Sequence, residues 1–334
     1  MSLDEDSSAK PHERLARALA NDLAAVDSLI RERMASDNAP RIPEVTAHLV
    51  DAGGKRVRPM LTLAAARLCG YDGDNHHKLA ATVEFIHTAT LLHDDVVDES
   101  RQRRGKPTAN LLWDNKTSVL VGDYLFARSF KLMVETGSLR VLDILSDAAA
   151  TIAEGEVLQL TAATNLATTE EVYLSVVRGK TAALFAAACE VGGVISGADD
   201  VQVKALRAYG DALGIAFQMA DDLLDLDGAA AAMGKNVGDD FREQKLTLPI
   251  IRAIAAADHE ERAFWTRTIG KGQQNEGDLD TALALIGKHG TLETTRADAL
   301  AWSESAKSAL KVLPDHPLRD MMRDLADYVV KRIN

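Results

Sequence analysis

Two aspartate-rich segments carry the side chains of this chain that are best suited to chemistry. Asp94-Asp95-Val96-Val97-Asp98 and Asp221-Asp222-Leu223-Leu224-Asp225 have the same spacing, and each follows an apolar, helix-forming run. Because an α-helix turns about 100° per residue, the first and last aspartates of each segment lie about 40° apart on one face. Like charges at this spacing destabilise a helix, and burial would raise their pKa values, so a cation is expected between them.

We call these segments the first and second aspartate box. Clustered carboxylates without His or Cys ligands favour a hard divalent cation, above all Mg²⁺, and carboxylate-bound magnesium usually also binds substrate phosphates. The alternative is a pair of solvated acidic helix ends, which the repeated spacing makes the weaker interpretation. The predicted metal-site residues are Asp94, Asp95, Asp98, Asp221, Asp222 and Asp225.

Basic segments near the first box are suited to bind an anion. In Gly53-Gly54-Lys55-Arg56-Val57-Arg58-Pro59, two glycines allow close backbone approach, and three cations stand near a helix N-terminus. The alternative is a helix end followed by a solvated basic turn. Arg103 and Arg104 follow the first box closely, and arginine forks match phosphate oxygens. Beside a metal-binding box, a diphosphate ligand explains these arginines better than solvent exposure alone.

Other polar residues give weaker individual signals. Lys180, followed by Thr181, lies inside an apolar run, where a lone lysine is costly unless it is paired with an anion. Gln218 precedes Asp221 by one helical turn and shares its face. His87 lies two turns before Asp94 and faces roughly the same way, although a single helical histidine is more often structural. Lys235, in a polar loop after the second box, is a further candidate.

Helical periodicity dominates the chain from about residue 11, and it predicts an all-α fold of long apolar helices. We expect residues 1–10 to form a flexible tail and 11–334 a single domain. The predicted elements are helices at about 11–35, 43–52, 59–68, 76–98, 117–135, 139–163, 169–190 and 200–226, a basic loop at 99–110, a polar loop at 227–247 and further helices from Pro249. In such bundles, metal ligands project inward from facing helices.

Composition excludes several classes of protein. The net charge of −12 with a pI near 5.2 argues against general nucleic-acid binding. Two cysteines, Cys69 and Cys189, are no disulfide framework and fit buried thiols in a reducing cytoplasm. No uncharged apolar stretch of about 18 residues is apparent, so no transmembrane helix is predicted.

Taken together, these motifs resemble the trans-polyprenyl diphosphate synthases, from about residue 11 to the C-terminus. The resemblance rests on the segment 53–59, both aspartate boxes, Arg103-Arg104-Gly105, Gly179-Lys180-Thr181, Phe217-Gln218 and Lys245-Leu246-Thr247-Leu248-Pro249. It implies an isoprenoid-synthase bundle around a deep central cavity. It also implies head-to-tail condensation of isopentenyl diphosphate with an allylic prenyl diphosphate, through an allylic cation.

The resemblance also implies residue roles. About three Mg²⁺ ions would bridge the boxes and the allylic diphosphate, bound by Asp94, Asp98 and Asp221 with support from the other aspartates. Isopentenyl diphosphate would be bound by Lys55, Arg58, His87 and Arg104. The allylic diphosphate would be bound by Arg103, Lys180, Thr181, Gln218 and Lys235, the last four also acting in catalysis. The leaving diphosphate would accept the proton, so no side-chain base is required.

One departure from the family pattern is visible, because Gln244 stands where glycine often precedes the lysine of the 245–249 segment. Product length is predicted from Ala89 and Thr90, just before the first box, where short-chain members carry a bulky aromatic residue. Both side chains are small, although Ala89 could simply allow close helix packing. Phe126, Phe130 and Met133 are candidates for a deeper tunnel floor or for ordinary core. The expected product has about eight to ten isoprene units (about C40 to C50), as for a ubiquinone side chain.

Three alternatives remain at this point. A short-chain synthase with a C15 or C20 product differs only in tunnel depth. A terpene cyclase would not need segment 53–59, and a non-catalytic partner subunit would tend to have lost aspartates. The resemblance further implies a cytoplasmic homodimer, with transient membrane contact for release of a hydrophobic product.

Overall fold

The computed structural model describes residues 9–36, 38–51, 54–103, 105–226 and 237–333. Helices dominate these residues, so the predicted all-α class is confirmed. In chain order the helices are α1 Pro11–Ala18, α2 Ala20–Met34, α3 Arg41–Asp51, α4 Val57–Leu68, α5 Asn75–Val97, α6 Ala109–Leu112, α7 Asn115–Glu135, α8 Leu139–Ala162, α9 Glu170–Val177, α10 Ala183–Ile195, α11 Asp200–Leu226, α12 Asp239–Arg242, α13 Leu248–Ala256, α14 His259–Trp265, α15 Asp278–Lys288, α16 Thr291–Ala309 and α17 Pro317–Lys331. Two π-helical turns, Arg178–Ala182 and Thr266–Gly270, and a 3-10 turn, Leu310–Val312, connect some of them.

Several predicted boundaries differ from the structure. The helix predicted at 11–35 is interrupted at Leu19, whose φ of −108° and ψ of 17° lie outside the helical region while its side chain stays buried. The helix predicted at 169–190 is divided by the π-helical turn that contains Lys180. Apolar periodicity runs through both positions, which is why the sequence predicted continuous helices.

The segment predicted as a basic loop contains a short hairpin. Strands β1 (Gln102–Arg103) and β2 (Lys106–Pro107) pair antiparallel, with Gln102 opposite Pro107. These are the only strands among the described residues. Gly105 turns the chain with a φ of +75°, which glycine adopts without steric cost.

The chain divides into two compact units, each made of non-contiguous segments. Unit 1 comprises Met1–Ala149, Ala187–Arg207 and Val312–Met322, and unit 2 comprises Ala150–Ala186, Ala208–Lys311 and Arg323–Asn334. The first box lies in unit 1 and the second in unit 2. That residues 11–334 form a single domain stays a prediction.

In unit 1, α5 packs against α2, α4 and α7, and small buried residues allow this close packing. Gly122 of α7 is one such residue, because a Cβ there would lie 2.2 Å from Nε2 of His93. His93 in turn stacks on Phe126 of α7 and lies 3.2 Å from the carbonyl oxygen of Val119. The residue just before the first box is therefore anchored to α7.

In unit 2, a cluster of buried residues around Trp265 lies beneath the second box. It includes Phe241 and Ile250, and also Leu226, the last residue of α11. Trp265 contacts Phe241 edge-on, with ring centroids 6.4 Å apart. This cluster anchors both the end of α11 and the segment that follows residue 237.

One apolar segment, Glu170–Ile195, is long and apolar enough to cross a membrane by length and composition alone, which the sequence analysis did not predict. Within the protein 61% of its most apolar window is buried, and core packing accounts for side chains such as Phe185 and Val191. Cys189, in the same segment, is buried, and burial raises the pKa of its thiol. Cys69 is half-buried, and neither cysteine forms a disulfide.

Candidate active site

The first box occupies the last turn of α5. Asp95 is fully buried, Asp94 is half-buried and Asp98, which caps the helix, is exposed. The C-terminus of a helix carries partial negative charge, so carboxylates at this end are disfavoured unless a cation is near. Helix position thus adds to the like-charge repulsion that the sequence predicted.

The helix ends through a hydrogen-bonded turn that returns the chain towards the box. Glu99 adopts a left-handed φ of 50°, and the N–H of Ser100 donates to the carbonyl oxygen of Asp95 at 3.0 Å. This is the Schellman pattern, in which glycine is usual at the position of Glu99. The turn is followed by the hairpin that carries Arg103.

Arg103 forms an ion pair with the buried aspartate of the first box. Its Nε and Nη2 atoms both lie 2.8 Å from Oδ1 of Asp95. The other oxygen of Asp95, Oδ2, is buried and accepts no hydrogen bond from the described residues. An all-oxygen donor set with an unsatisfied buried oxygen fits a hard divalent cation. Arg104, predicted to bind isopentenyl diphosphate, lies outside the described residues.

The cations of the basic segment before α4 differ in their exposure and in their partners. Arg56 is left-handed (φ 50°) and bonds to Glu84 at 2.6 Å, with Asp27 at 3.6 Å, so its charge is matched by carboxylates. Lys55 is exposed, and Arg58 Nη1 lies 3.3 Å from Nε2 of His87. The structure therefore brings Arg58 and His87 together, as their predicted common role requires. Gly53 lies outside the described residues.

The second box occupies the last turn of α11, so it has the same unfavourable helix-end position as the first. Its aspartates differ in their partners. Oδ1 of Asp221 accepts from Arg332 of the C-terminal segment at 3.0 Å. Asp222 is buried and accepts from Tyr173 at 2.6 Å and from Gln218 at 2.8 Å. Asp225 accepts backbone N–H groups from the start of α12.

Burial perturbs the acidity of the second box. It raises the pKa of Asp222 to about 6, against the opposing effect of the hydrogen bonds from Tyr173 and Gln218. Burial also raises the pKa of Asp225. For Asp240, burial and the charges of Asp222 and Asp225 raise the pKa to about 8. This concentration of carboxylates in a poorly solvated place is what a bound cation would stabilise.

Lys180 and Thr181 lie on the π-helical turn of unit 2. The turn approaches α8 closely because both contacting residues are glycines: a Cβ on Gly179 would lie 2.8 Å from the Cα atom of Gly155. Lys180 Nζ donates to Glu156 of α8 at 2.9 Å, which is the anionic partner that its apolar surroundings required. The hydroxyl of Thr181 donates to Oε1 of Gln218 at 2.8 Å.

The backbone conformation of Gln244 shows why glycine is common at this position. Its φ is +58°, its N–H donates to the carbonyl oxygen of Phe241 at 3.0 Å, and the N–H of Lys245 donates to that of Asp240 at 2.8 Å. Gln244 therefore occupies the left-handed position of a Schellman turn, where glycine is favoured. The turn keeps its geometry despite the substitution.

Sequence reasoning missed four residues that contact the predicted site: Tyr173, Glu156, Asp240 and Arg332. Each reaches a site residue from a distant part of the chain, so no local spacing indicated it. The pair Asp239-Asp240 was the one sequence feature that could have indicated such a residue, since it lies in the polar loop after the second box. Lys235, from the same loop, lies outside the described residues.

The residues proposed to control product length lie on α5. Ala89 is fully buried, with 0% of its surface exposed, whereas Thr90 is half-buried and donates its hydroxyl to the carbonyl oxygen of His87 at 2.8 Å. On α7, Met133 is buried but Phe130 is 43% exposed. The packing interpretation therefore gains support at Ala89, and Thr90 is the more accessible of the two.

A separate cluster in unit 1 has three potential metal-ligand atoms within 4.8 Å of one another, from Asp22, His76 and His77. His76 lies about 27 Å along α5 from the first box, at 1.5 Å per residue. Arg67 binds both oxygens of Asp22, at 2.7 and 3.1 Å, and Nδ1 of His76 has no partner among the described residues. A ligating histidine normally donates its second N–H to an acceptor, so an ion-pair network explains this cluster better.

Comparison with known proteins gives consistent matches. The family model described as Polyprenyl synthetase matches residues 39–286. Octaprenyl diphosphate synthase of Escherichia coli (strain K12) is 44% identical over 320 residues, covering 96% of this chain and 98% of that protein. The crystal structure of a decaprenyl diphosphate synthase from Rhodobacter capsulatus has a TM-score of 0.95 at 72% identity, covering 97% of this chain and 99% of that one. A polyprenyl synthase from Caulobacter crescentus CB15, complexed with calcium and isoprenyl diphosphate, has a TM-score of 0.91 at 52% identity, covering 97% and 98%.

Proposed function

We infer that this chain, which belongs to the polyprenyl synthetase family, is a prenyltransferase. Its product is a long-chain all-trans polyprenyl diphosphate. The reaction joins isopentenyl diphosphate head-to-tail to an allylic prenyl diphosphate. The names of its relatives, octaprenyl and decaprenyl diphosphate synthase, support a long product. The observation that carries the inference is the pair of intact aspartate boxes, each in the last turn of a long helix and each with buried carboxylates.

The chain depends on a divalent metal as its family does, and we propose Mg²⁺, about three ions per site. Asp94, Asp98 and Asp221 would hold the metal, which when bound would supply positive charge for the leaving diphosphate. Asp95 and Asp222 are the buried members of their boxes, and each is fixed by donors of the protein. With Asp225 they would support the metal-binding aspartates, and these donors also fix Asp95 and Asp222 at the two helix ends.

Binding of the two diphosphates is divided among the basic residues. Lys55, Arg58 and His87, with Arg104, would bind isopentenyl diphosphate. Arg103, Lys180, Thr181 and Gln218, with Lys235, would bind the allylic diphosphate, which would compete with the carboxylate partners of Arg103 and Lys180. A diphosphate carries more charge than one carboxylate, which favours the diphosphate.

Thr181 and Gln218 are suited to stabilise the allylic cation. The hydroxyl hydrogen of Thr181 is committed to Gln218, so Thr181 can offer only oxygen lone pairs to a developing positive charge. A hydroxyl whose hydrogen is already donated to another residue stabilises a cation without protonating the substrate. The departing diphosphate accepts the proton at the end of the step.

A cytoplasmic homodimer that contacts the membrane only during product release completes the proposal. The half-buried and buried thiols of Cys69 and Cys189 fit a reducing compartment. Exposed apolar residues on α7, including Leu120 and Val134, provide a surface for self-association. The product is proposed to serve as the side chain of a quinone, with about eight to ten isoprene units.

The decisive experiment uses purified protein with Mg²⁺, farnesyl diphosphate and isopentenyl diphosphate. Diphosphate release should depend on the metal and disappear with a chelator, and chromatography of the dephosphorylated products should show a long chain. A product that stops at four isoprene units would identify a short-chain synthase. No turnover under any of these conditions would favour the non-catalytic partner subunit.

A further inference from the structure

The hydroxyl of Tyr173 begins a chain of hydrogen bonds that ends at the predicted cation-stabilising residues. Tyr173 lies on α9 with 5% of its surface exposed, and its hydroxyl donates to Oδ2 of Asp222 at 2.6 Å. The other carboxylate oxygen, Oδ1, accepts from Nε2 of Gln218 at 2.8 Å. Oε1 of Gln218 accepts from the hydroxyl of Thr181 at 2.8 Å. All four residues belong to unit 2.

The direction of each bond follows from the groups involved. A carboxylate only accepts, so Asp222 must receive hydrogens from both neighbours. The amide of Gln218 therefore turns its NH₂ group towards Asp222 and its oxygen towards Thr181. The hydroxyl of Thr181 then donates to that oxygen, and its lone pairs point elsewhere. A single orientation of the amide is compatible with this sequence of bonds.

Asp222 is the member of the second box that is least able to bind an ion. It is 4% exposed, and both of its oxygens already accept a hydrogen bond from the protein. Asp221 and Asp225 are only partly buried. The middle aspartate is therefore suited to join the box to the neighbouring helices, and its shortest bond comes from Tyr173.

We propose that Tyr173 is a positioning residue for the prenyl transfer reaction: it fixes Asp222, and through Asp222 it sets the amide orientation of Gln218 and the lone pairs of Thr181. This inference rests on the proposed function. Tyr173 contacts no reacting atom. Without its hydroxyl, Oδ2 of Asp222 loses its donor, and the carboxylate can rotate away from the position in which it orients the amide of Gln218.

The test compares Tyr173→Phe with the wild type and with Tyr124→Phe. Tyr124 is the matched control, because its hydroxyl accepts from Arg128 at 2.8 Å but lies on α7 in unit 1. Tyr173→Phe should lower kcat about tenfold or more, which is the usual range for a misplaced stabilising group, and raise the Mg²⁺ concentration needed for half-maximal rate. KM for isopentenyl diphosphate should not change. Tyr124→Phe should leave all three quantities at their wild-type values.

A second measurement distinguishes loss of this chain of hydrogen bonds from loss of packing around the ring of Tyr173. In a Thr181→Val background, Tyr173→Phe should have little further effect on kcat, because both changes break the same chain of bonds. Calorimetric binding of inorganic diphosphate with Mg²⁺ gives a readout that needs no turnover, and Tyr173→Phe should weaken it. Multiplicative effects of the two substitutions, or kcat and Mg²⁺ dependence equal to those of Tyr124→Phe, would overturn the proposal.

The outcomes also distinguish this inference from the function on which it rests. A wild type that makes no prenyl product refutes the proposed function, and the calorimetric comparison then decides the role of Tyr173. If circular dichroism shows that Tyr173→Phe does not fold, 3-fluorotyrosine incorporated at position 173 keeps the ring and the hydroxyl but makes the hydroxyl a stronger acid. An altered kcat then supports the positioning role of Tyr173, and an unaltered kcat overturns it.

Discussion

Arg103 and Lys180 show how far single residues could be interpreted before the fold was known. Both were predicted to need an anion, and both have one, in Asp95 and Glu156. Sequence reasoning assigned that anion to a substrate, because a partner from another part of the chain leaves no local pattern. The residue types therefore predicted that each of these cations needs an anionic partner. Only the fold shows which side chain is that partner when no substrate is bound.

Replacing Thr90 with phenylalanine should shorten the product by one or more isoprene units. Thr90 is half-buried beside the first box, and its hydroxyl bonds within its own helix, so a larger side chain would fill space rather than orphan a partner. The measurement is chromatography of the dephosphorylated products. Thr90→Ser is the control of similar size and should keep the wild-type length. An active Thr90→Phe enzyme with an unchanged product would remove Thr90 from the tunnel wall.

Replacing Gln244 with glycine should stabilise the protein by up to about 1 kcal/mol. Gln244 has a φ of +58°, and a left-handed backbone costs a residue with a Cβ about 1–2 kcal/mol, partly offset by the greater freedom of glycine in the unfolded chain. Urea unfolding measures the change. Gln244→Ala retains the Cβ and should give no such gain, so equal stabilities for the two variants would contradict this account.

Helix ends are the elements that position the candidate site. Both boxes lie in the last turn of a long helix, α5 and α11, and the sequence predicted those ends to within a residue or two. It did so because apolar periodicity stops where the charged and polar loops begin. It did not predict the π-helical turn at Lys180, since a π turn depends on what packs against it, here Gly155 of α8.

Replacing Gly179 with alanine should destabilise the protein by about 1–3 kcal/mol and lower its activity. The new Cβ would lie 2.8 Å from the Cα atom of Gly155 and 3.0 Å from the carbonyl oxygen of Thr151, so backbone must move. Lys180 and Thr181 would move with it. Chemical unfolding and steady-state kinetics report the two effects.

Gly287 provides the matched control for that substitution. It lies inside α15, and a Cβ there would meet nothing within 4 Å. Gly287→Ala should therefore leave activity unchanged and stabilise the protein by about 0.5–1 kcal/mol, as alanine does in an unhindered helix. Equal losses for both alanine variants would show that steric contact at Gly179 is not the cause.

The start of α5 should make stability depend on pH. Burial lowers the pKa of His76 from 6.5 to about 4, and the charges of His77 and Arg67 act in the same direction. The unfolded state then binds the proton more tightly, so stability present above pH 6.5 is lost as the pH falls towards 4, by about 3 kcal/mol. Burial would raise the pKa of Asp22, but hydrogen bonds from Arg67 and His77 hold it well below its usual range, and its contribution is lost only in stronger acid.

Urea unfolding at pH 7, 5.5 and 4.5 checks this expectation. The free energy of unfolding of His76→Gln relative to the wild type should therefore change by about 3 kcal/mol between pH 6.5 and 4, because the opposing contributions of Asp222 and Asp240, whose pKa values burial raises, are common to both proteins. His259 is exposed at the start of α14, and His259→Gln should keep the wild-type slope. A difference in unfolding free energy between the wild type and His76→Gln that does not change with pH would contradict the expected contribution of His76.

At the scale of the whole molecule, the two compact units interleave along the chain, and the sequence contains no signal for them. Unit 1 contains the first box with Lys55 and Arg58, and unit 2 contains the second box with Lys180 and Gln218. Four of the five boundaries between the units lie inside a helix, and the fifth lies in the 3-10 turn Leu310–Val312, so no linker marks the division. Helical class and family could be inferred from local pattern, whereas this partition depends on long-range contacts.

The predicted homodimer can be tested on the exposed face of α7. Leu120 and Val134 are each 65% exposed there, and an exposed apolar surface is typical of an interface. Leu120→Glu should convert a dimer into a monomer in size-exclusion chromatography with light scattering. Val201, which is 63% exposed on α11, is the control, and Val201→Glu should leave the mass unchanged. A wild-type monomer, or a Leu120→Glu dimer, would contradict the prediction.

The carboxylate partners of Arg103 and Lys180 have a consequence for selectivity. A cation that already holds Asp95 or Glu156 gains nothing by exchanging it for another singly charged anion, such as a fatty acid or a simple carboxylate metabolite. Only an anion of higher charge density improves on the resident partner. In the proposed roles, Arg103 and Lys180 would therefore select against singly charged carboxylates, which bring no more charge than Asp95 and Glu156, and in favour of a diphosphate.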